Sequence, residues 1–201
     1  MSAAFTARIV AGLGLLLRLD IRAFALLGET PADAARSFWA AVVLAPLYLL
    51  YMLLEFQGGA GGSPFGPYGL LKLLHYVLGW ALYPVMMEIL CRLLDRRALF
   101  YRWLAAYNWL QVPVMLAFLP LTGLAAFGLA PLPVVAFLNS LVFLVMTFYL
   151  GVVARGGLRV PMITVVGVVF LDLIVGEALH EAFLPLLLPL QTGAQGVDGG
   201  F

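Results

Sequence analysis

Residues 103–154, WLAAYNWLQVPVMLAFLPLTGLAAFGLAPLPVVAFLNSLVFLVMTFYLGVVA, decide the fold, because this stretch of 52 residues contains no acidic or basic side chain. A single α-helix of that length would be about 78 Å long, more than twice the roughly 30 Å thickness of a bilayer's hydrocarbon core. Two prolines and a glycine in Gly128-Leu-Ala-Pro-Leu-Pro133 interrupt the helical pattern. The stretch therefore predicts two membrane crossings joined by a short turn.

The composition of the whole chain indicates the same surroundings. Of its 201 residues, 64% are hydrophobic and only 10% are charged, whereas an ordinary soluble domain carries about 25% charged residues. A mean hydropathy of +1.07 agrees with this, and together these values exclude a soluble globular protein. The single cysteine, Cys91, excludes an internal disulfide and a cluster of thiolate metal ligands, and we expect it to be a small buried apolar residue.

Five apolar segments are long enough to cross a membrane. They are predicted at residues 36–57, 68–94, 103–127, 131–153 and 160–184, in an all-α membrane bundle that occupies residues 30–185. Thr30-Pro-Ala-Asp33 marks the start of the first helix, because a threonine cap, an early proline and an acid at the positive helix end all favour initiation. Glycine-rich residues 58–67 are predicted to form a flexible loop, and residues 186–201 a short polar tail.

The basic residues predict the orientation of the spans. If the N-terminus lies inside, the ten arginines all fall on the inner side, including the predicted turn Arg155-Gly-Gly-Leu-Arg159, and only Lys72 falls outside. Connections rich in Arg and Lys remain in the cytoplasm. We therefore expect a cytoplasmic N-terminus and a periplasmic C-terminus in a bacterial inner membrane, since the preference for arginine suggests a GC-rich bacterial genome. Lys72 is expected to extend its ammonium group to the outer interface.

Residues 1–29 precede the spans and contain an apolar run, residues 9–17, that is too short to cross a bilayer. On a helical projection Arg8, Arg18 and Arg22 fall within an arc of about 80°. This pattern favours an amphipathic helix on the membrane surface, with its arginines toward anionic headgroups. The alternative is a solvated helix that is docked on the protein's own spans.

Three short motifs resemble the Yip (Ypt-interacting protein) family of five-span membrane proteins. They are Arg36-Ser-Phe-Trp-Ala-Ala41 at the first span, Ala106-Tyr-Asn-Trp-Leu-Gln-Val112 in the third and Val169-Phe-Leu-Asp-Leu-Ile174 in the fifth. The resemblance covers most of the chain in layout. It implies membrane organisation and partner binding rather than catalysis, and it assigns no catalytic residue.

Three polar residues inside the predicted spans are candidates for a proton or ion step. Asp172 lies about 18 Å into the fifth span, near the bilayer centre, where an aspartate costs about 2.5–3.5 kcal/mol. Asn139 in the fourth span lies at a similar depth. The alternative is therefore that Asp172 is protonated, or hydrogen-bonded to Asn139 or a backbone group, and stabilises helix packing. Glu88 is the third candidate, and it can pair with Arg92 on the same helix face.

A second group of polar residues predicts a cluster at the outer interface. Glu177-Ala-Leu-His180 has the spacing that places a glutamate and a histidine on one helix face, and such pairs hold metals when other helices supply carboxylates. Glu181, Glu55, His75 and Lys72 end at the same depth. The cluster could hold a metal ion or a proton. The alternative is a polar collar where the helices meet headgroups and water.

The third span carries two further polar residues, Asn108 and Gln111. We expect them to bond across to a neighbouring helix or to line a cavity. The tryptophans near the span ends, Trp39, Trp80 and Trp103 among them, are expected to be interfacial anchors or packing residues.

The sequence supports three functional hypotheses of different classes. The first is a non-enzymatic integral membrane protein that acts as a scaffold, assembly factor or accessory subunit, because the loops are short and no soluble domain is visible. Its expected partners are bound membrane lipids and other membrane subunits or a second copy, with no cofactor and no nucleic acid. The second is a small channel or transporter that couples protons or cations through Asp172. The third is a membrane metal-binding protein or metalloenzyme built on Glu177 and His180.

Overall fold

The computed structural model describes residues 2–57 and 65–192, and in these two ranges all regular structure is helical. A short N-terminal segment contains three helices, α1 (Ala3–Leu17), α2 (Ala23–Leu27) and α3 (Pro31–Ser37). The longer helices that follow are α4 (Trp39–Gln57), α5 (Phe65–Leu93), α6 (Phe100–Ala126), α7 (Leu132–Leu158) and α8 (Met162–Thr192), with a 3-10 turn at Arg97–Leu99 before α6.

Five segments are long and apolar enough to span a membrane, which confirms the predicted all-α bundle. They are Pro31–Phe56, Phe65–Leu93, Arg97–Ala126, Leu132–Leu158 and Met162–Leu190. The predicted break in the uncharged stretch is also confirmed, because α6 ends at Ala126 and α7 begins at Leu132 after Pro131. At the first span, the Thr30 side chain accepts a hydrogen bond from the Asp33 amide, as the capping motif predicts. The chain is therefore a multi-pass membrane protein.

Three helix ends differ from the prediction. Helix α5 already begins at Phe65, so the last three residues of the predicted glycine-rich loop are helical, and residues 58–64 lie outside the described residues. Helix α7 continues through most of the predicted basic turn to Leu158, and the residue that caps it, Arg159, has a left-handed φ of 52°. Helix α8 continues to Thr192, which makes residues 186–192 of the predicted tail helical and leaves residues 193–201 outside the description.

The prolines and glycines in these stretches do not end the helices. Pro185 and Pro189 lie inside α8, and prolines of this kind are tolerated in membrane helices. Glycines 156 and 157 stay helical because large side chains from other elements fill the space above them.

The spanning helices form a ring. Helix α4 packs chiefly against α6, α6 against α7, α7 against α8, and α8 against α5. Helix α5 makes lighter contacts with α4 and α6, and these complete the ring. We call the end of the bundle formed by α1–α3 and by the α5–α6 and α7–α8 connections the arginine-rich end, and the opposite end the far end.

Two apolar clusters hold the ring together. The larger cluster lies toward the arginine-rich end and includes Phe24, Met87 and the fully enclosed Trp103. The predicted burial of Cys91 is confirmed here. The smaller cluster joins α4, α5 and α8 toward the far end, with Phe183 among its members.

The N-terminal segment is docked on the spans at the arginine-rich end. Helix α1 buries Ile9, Gly12 and Leu16, and the Tyr149 hydroxyl of α7 donates a 2.7 Å hydrogen bond to the Leu17 carbonyl. Because α1 ends at Leu17, the predicted arc of three arginines on one helix does not form. The geometry fits the alternative of a helix docked on the protein's own spans.

Ion pairs hold the N-terminal segment together, and one of them joins it to the spans. Arg8 in α1 bonds the Asp33 carboxylate of α3 at 3.0 Å. Arg22 forms side-chain hydrogen bonds with Asp20 in the turn after α1, and these hold the pKa of Asp20 below its ordinary value. Arg102 at the start of α6 bonds Glu29 at 3.0 Å. The arginines at this end are thus partly engaged in holding the N-terminal segment in place.

Candidate functional site

A cavity of about 620 Å³ lies inside the ring, and all five spanning helices contribute to its wall. This volume is within the roughly 300–1,000 Å³ typical of small-molecule sites. The wall comes from residues 44–55 of α4, 72–80 of α5 and 107–122 of α6, from residue 139 near the start of α7, and from residues 180 and 187 near the end of α8. The cavity therefore belongs mainly to the far half of the bundle. Its charged, amide and imidazole side chains are Glu55, Lys72, His75, Gln111, Asn139 and His180.

An ion pair is built into the cavity wall. The ammonium group of Lys72 lies 2.6 Å from Oε2 of Glu55, and the Tyr68 hydroxyl donates to the same oxygen at 2.9 Å. The Lys72 ammonium also lies 5.8 Å from the ring centre of Tyr51. The Lys72 side chain is thus held by a carboxylate and by aromatic rings of the cavity wall, and its expected extension to the outer interface stays a prediction.

Three of the five predicted metal-cluster residues meet at the cavity, and two do not. Glu55, His75 and His180 line it, whereas Glu177 and Glu181 do not. All three of the α8 residues among these five, His180 included, are at exposed positions. Throughout residues 2–57 and 65–192, no three histidine, cysteine, aspartate or glutamate side chains are grouped so that they could hold a metal ion. Glu55 is instead engaged by Lys72, which removes the carboxylate that a metal would need.

An aromatic wall faces the cavity from α4 and α5. The Tyr48 ring stacks on Tyr76 at 4.4 Å and on Tyr51 at 5.9 Å between ring centres, and Trp80 meets Tyr76 edge-on at 6.1 Å. The hydroxyls of this wall bond backbone carbonyls, Tyr76 to Ala41 at 2.6 Å and Tyr48 to Lys72 at 3.2 Å. These bonds fix the rings in position.

No sequence motif predicts this aromatic wall, but the spacing of its residues along α4 and α5 does indicate that they share one face of each helix. Residues 48, 51 and 55 of α4, and residues 72, 75, 76, 79 and 80 of α5, follow intervals of three and four and so share one face of each helix. An apolar membrane helix with one such polar and aromatic stripe indicates that the stripe faces protein or a cavity rather than lipid.

Asp172 lies behind the cavity wall. Its carboxylate accepts a 2.9 Å hydrogen bond from the hydroxyl of Tyr107, and the Tyr107 side chain itself lines the cavity. The expected partner Asn139 is not used. Asn139 lines the cavity and makes no hydrogen bond to a described residue. Tyr107 takes that place because it is held between Tyr83 and Trp103, at ring distances of 5.0 and 5.1 Å.

Of the other predicted polar residues, some line the cavity and others lie outside it. Glu88 lies at the arginine-rich end and not in the cavity, and its carboxylate bonds Arg92 at 2.6 Å, which confirms the predicted pair. Asn108 donates to the Ser37 hydroxyl at 2.8 Å in a buried bond between α6 and α3, as expected for packing. Gln111, one helical turn further along α6, lines the cavity. Trp103 is a packing residue, since it is buried in the larger apolar cluster.

Comparison of the chain with protein-family models, with curated proteins and with solved structures finds no match in any of the three. The resemblance to the Yip family therefore stays a prediction from three motifs and the five-span layout. The functional argument depends on the cavity.

Proposed function

We propose that the protein is a non-enzymatic, multi-pass protein of a bacterial inner membrane that binds a small amphipathic molecule in its central cavity. The observation that carries this proposal is a cavity to which all five spanning helices contribute. Its walls combine hydrogen-bonding groups with rings and aliphatic side chains, such as Leu44 and Phe118. Pockets of this mixed character, largely apolar with a few placed polar groups, are typical of ligand sites.

The free polar groups of the cavity support an occupant. Gln111 and Asn139 face the cavity and make no hydrogen bond to another described residue. Both side chains are half-buried, so their amides are accessible from the cavity. A molecule bound in the cavity can therefore exchange hydrogen bonds with them.

The orientation is part of the proposal. Ten arginines gather at the N-terminal segment and at connections of the arginine-rich end, whereas Lys72 belongs to the far half. With the arginine-rich end in the cytoplasm, the cavity lies in the periplasmic half of the membrane.

Filling the cavity is the direct test. A Cβ atom added at Gly79 meets only Leu179 at 4.0 Å, so Gly79→Phe directs a ring into the cavity without a backbone clash. We expect the variant to fold and to lose the small amphiphile that wild-type protein retains through purification. Because the ring and the amphiphile would occupy the same space, we expect retention to fall at least about tenfold, which corresponds to about 1.4 kcal/mol of binding free energy.

The matched control is Gly176→Phe, because a Cβ at that position of α8 meets nothing within 4 Å and the residue does not line the cavity. Native mass spectrometry of the three proteins counts the retained amphiphile. Wild-type protein without a retained small molecule, or equal retention by Gly79→Phe, would contradict the proposal.

Proton- or cation-coupled transport is the second candidate, and the contact between Asp172 and Tyr107 favours it. The carboxylate lies about 15 Å along α8 from Met162, and one hydroxyl separates it from the cavity. Carboxylates at such depth mark proton and ion paths in many transporters.

For this candidate, we expect Asp172→Asn to abolish ion flux into proteoliposomes. The amide keeps the size of the side chain but cannot ionise. Glu181→Gln, at an exposed position of the same helix, should retain the flux. A pH-sensitive dye inside the vesicles measures it, and wild-type vesicles without flux would end this hypothesis.

The scaffold hypothesis gains support from the outer face of α7. Only 6% of the most apolar window of this helix is buried, and Phe137, Leu141, Leu144 and Phe148 form an exposed stripe with the spacing of a helix-packing seam. The Yip resemblance also implies partner binding. In mild detergent we would then expect an oligomer or a co-purified membrane subunit, and a monomer without a partner would count against it.

A further inference from the structure

We infer that the cavity selects an uncharged amphiphile whose head is a flat ring with hydrogen-bond acceptors, that is, a quinone-type head group on an apolar tail. This inference rests on the proposed binding function and names its ligand class. It concerns binding alone and includes no electron transfer.

The charges of the cavity are the first argument. Its wall carries one carboxylate and one ammonium group, and these already neutralise each other at 2.6 Å. The Tyr68 hydroxyl supplies a further bond to the carboxylate. The two charges cancel, so the pair leaves no net charge in the wall that would favour a charged head group. An uncharged head group leaves the pair intact.

The free hydrogen-bonding groups are the second argument. Gln111 and Asn139 offer amide N–H groups from α6 and α7. His75 and His180 add imidazole groups from α5 and α8. A neutral imidazole and an amide each donate to carbonyl oxygens. Donors from four different helices thus surround one space, and the carbonyl oxygens on opposite edges of a quinone ring suit such an arrangement.

The shape of the wall is the third argument. The rings of Tyr51, Tyr48 and Tyr76 form a stack with interplanar angles of 28° and 29°, and all three line the cavity. A planar ring in the cavity can extend such a stack or meet it edge-on, and both arrangements are favourable for aromatic rings. Val114 and Leu187 belong to the apolar remainder of the wall, along which an aliphatic tail can lie.

The test uses two probes, decylubiquinone and a phosphatidylethanolamine with short acyl chains. Each is added to delipidated full-length protein in detergent, and native mass spectrometry measures stoichiometry and competition. We expect one quinone per chain and no displacement by the phospholipid. Gln111→Leu and Asn139→Leu should each weaken quinone binding about two- to tenfold, the effect of one neutral hydrogen bond.

The outcomes distinguish the inference about the head group from the proposed binding function of the cavity. If the phospholipid binds and displaces the quinone, the head-group inference is overturned while a ligand-binding cavity stands. If neither probe binds and wild-type protein retains no amphiphile, both are overturned. Quinone binding that is unchanged by Gly79→Phe would place it outside the cavity and also overturn the inference. Gel filtration of each variant before the measurement ensures that only folded protein is compared.

Discussion

Replacing Lys72 by glutamate is expected to lower the melting temperature of the purified protein by about 6–12 °C, because roughly 3 kcal/mol corresponds to such a shift in a chain of this size. The Lys72 ammonium is 2.6 Å from the Glu55 carboxylate, and their side chains are only 11% and 28% exposed. Lys72→Glu removes this attraction and places two carboxylates side by side away from bulk water. Differential scanning fluorimetry in one detergent measures the shift.

The charge swap is the control for this prediction. In the double variant Glu55→Lys/Lys72→Glu, the two charges exchange helices and can pair again, so most of the lost stability should return. A single variant that melts like wild type would show that the pair is not formed in the folded protein. A swap no more stable than the single variant would contradict the attribution to this pair.

Gly157→Val is expected to destabilise the arginine-rich end by about 1–3 kcal/mol through overpacking. A Cβ at this position would lie 3.0 Å from the backbone Cα of Trp103 and 3.4 Å from the Phe24 ring. Neither neighbour can move easily, since both side chains are buried in the larger apolar cluster. The melting temperature should fall, and amide hydrogen exchange in α1 and α2 should become faster.

Gly167→Val is the matched control, because it makes the same substitution in α8 where a Cβ meets nothing within 4 Å. The two variants share the same change in helix propensity, so their difference isolates packing. Two results would contradict this account: equal melting temperatures of the two variants, or amide hydrogen exchange in α1 and α2 that Gly157→Val leaves unchanged. Either would show that the close approach of α7 to Trp103 and Phe24 does not hold the N-terminal segment.

The number of spans and their breaks follow from the sequence because both depend on local chemistry. An uncharged stretch of 52 residues is too long for one crossing, and Pro131 and Pro133 fall where the helix must end. The exact residues at which the helices end are predicted less well from the sequence. Gly156 and Gly157 look like a turn in sequence, yet they are helical because Phe24, far away in the chain, fills the space beside them.

The sequence predicts how deep each residue of the candidate site lies along its helix, but it does not predict which neighbour the side chain faces. A rise of about 1.5 Å per residue places Glu55, Lys72 and His75 at one level, and the structure brings them to one cavity. Which neighbour each side chain meets depends on the rotation and order of the helices. For this reason the partner of Asp172 is Tyr107 and not Asn139, a pairing that no local pattern encodes.

The central claim is a five-span bundle with its arginine-rich end in the cytoplasm. Its most direct test is the labelling of single cysteines in intact and permeabilised cells. In a Cys91→Ala background, cysteines replace Ser2, Arg96 and Leu129, which are all exposed and lie before α1, between α5 and α6, and between α6 and α7. A membrane-impermeant maleimide should label position 129 in cells whose outer membrane alone is opened, and positions 2 and 96 only after the inner membrane is also opened. Labelling of positions 96 and 129 from the same side would contradict the account, because α6 would then not cross the membrane.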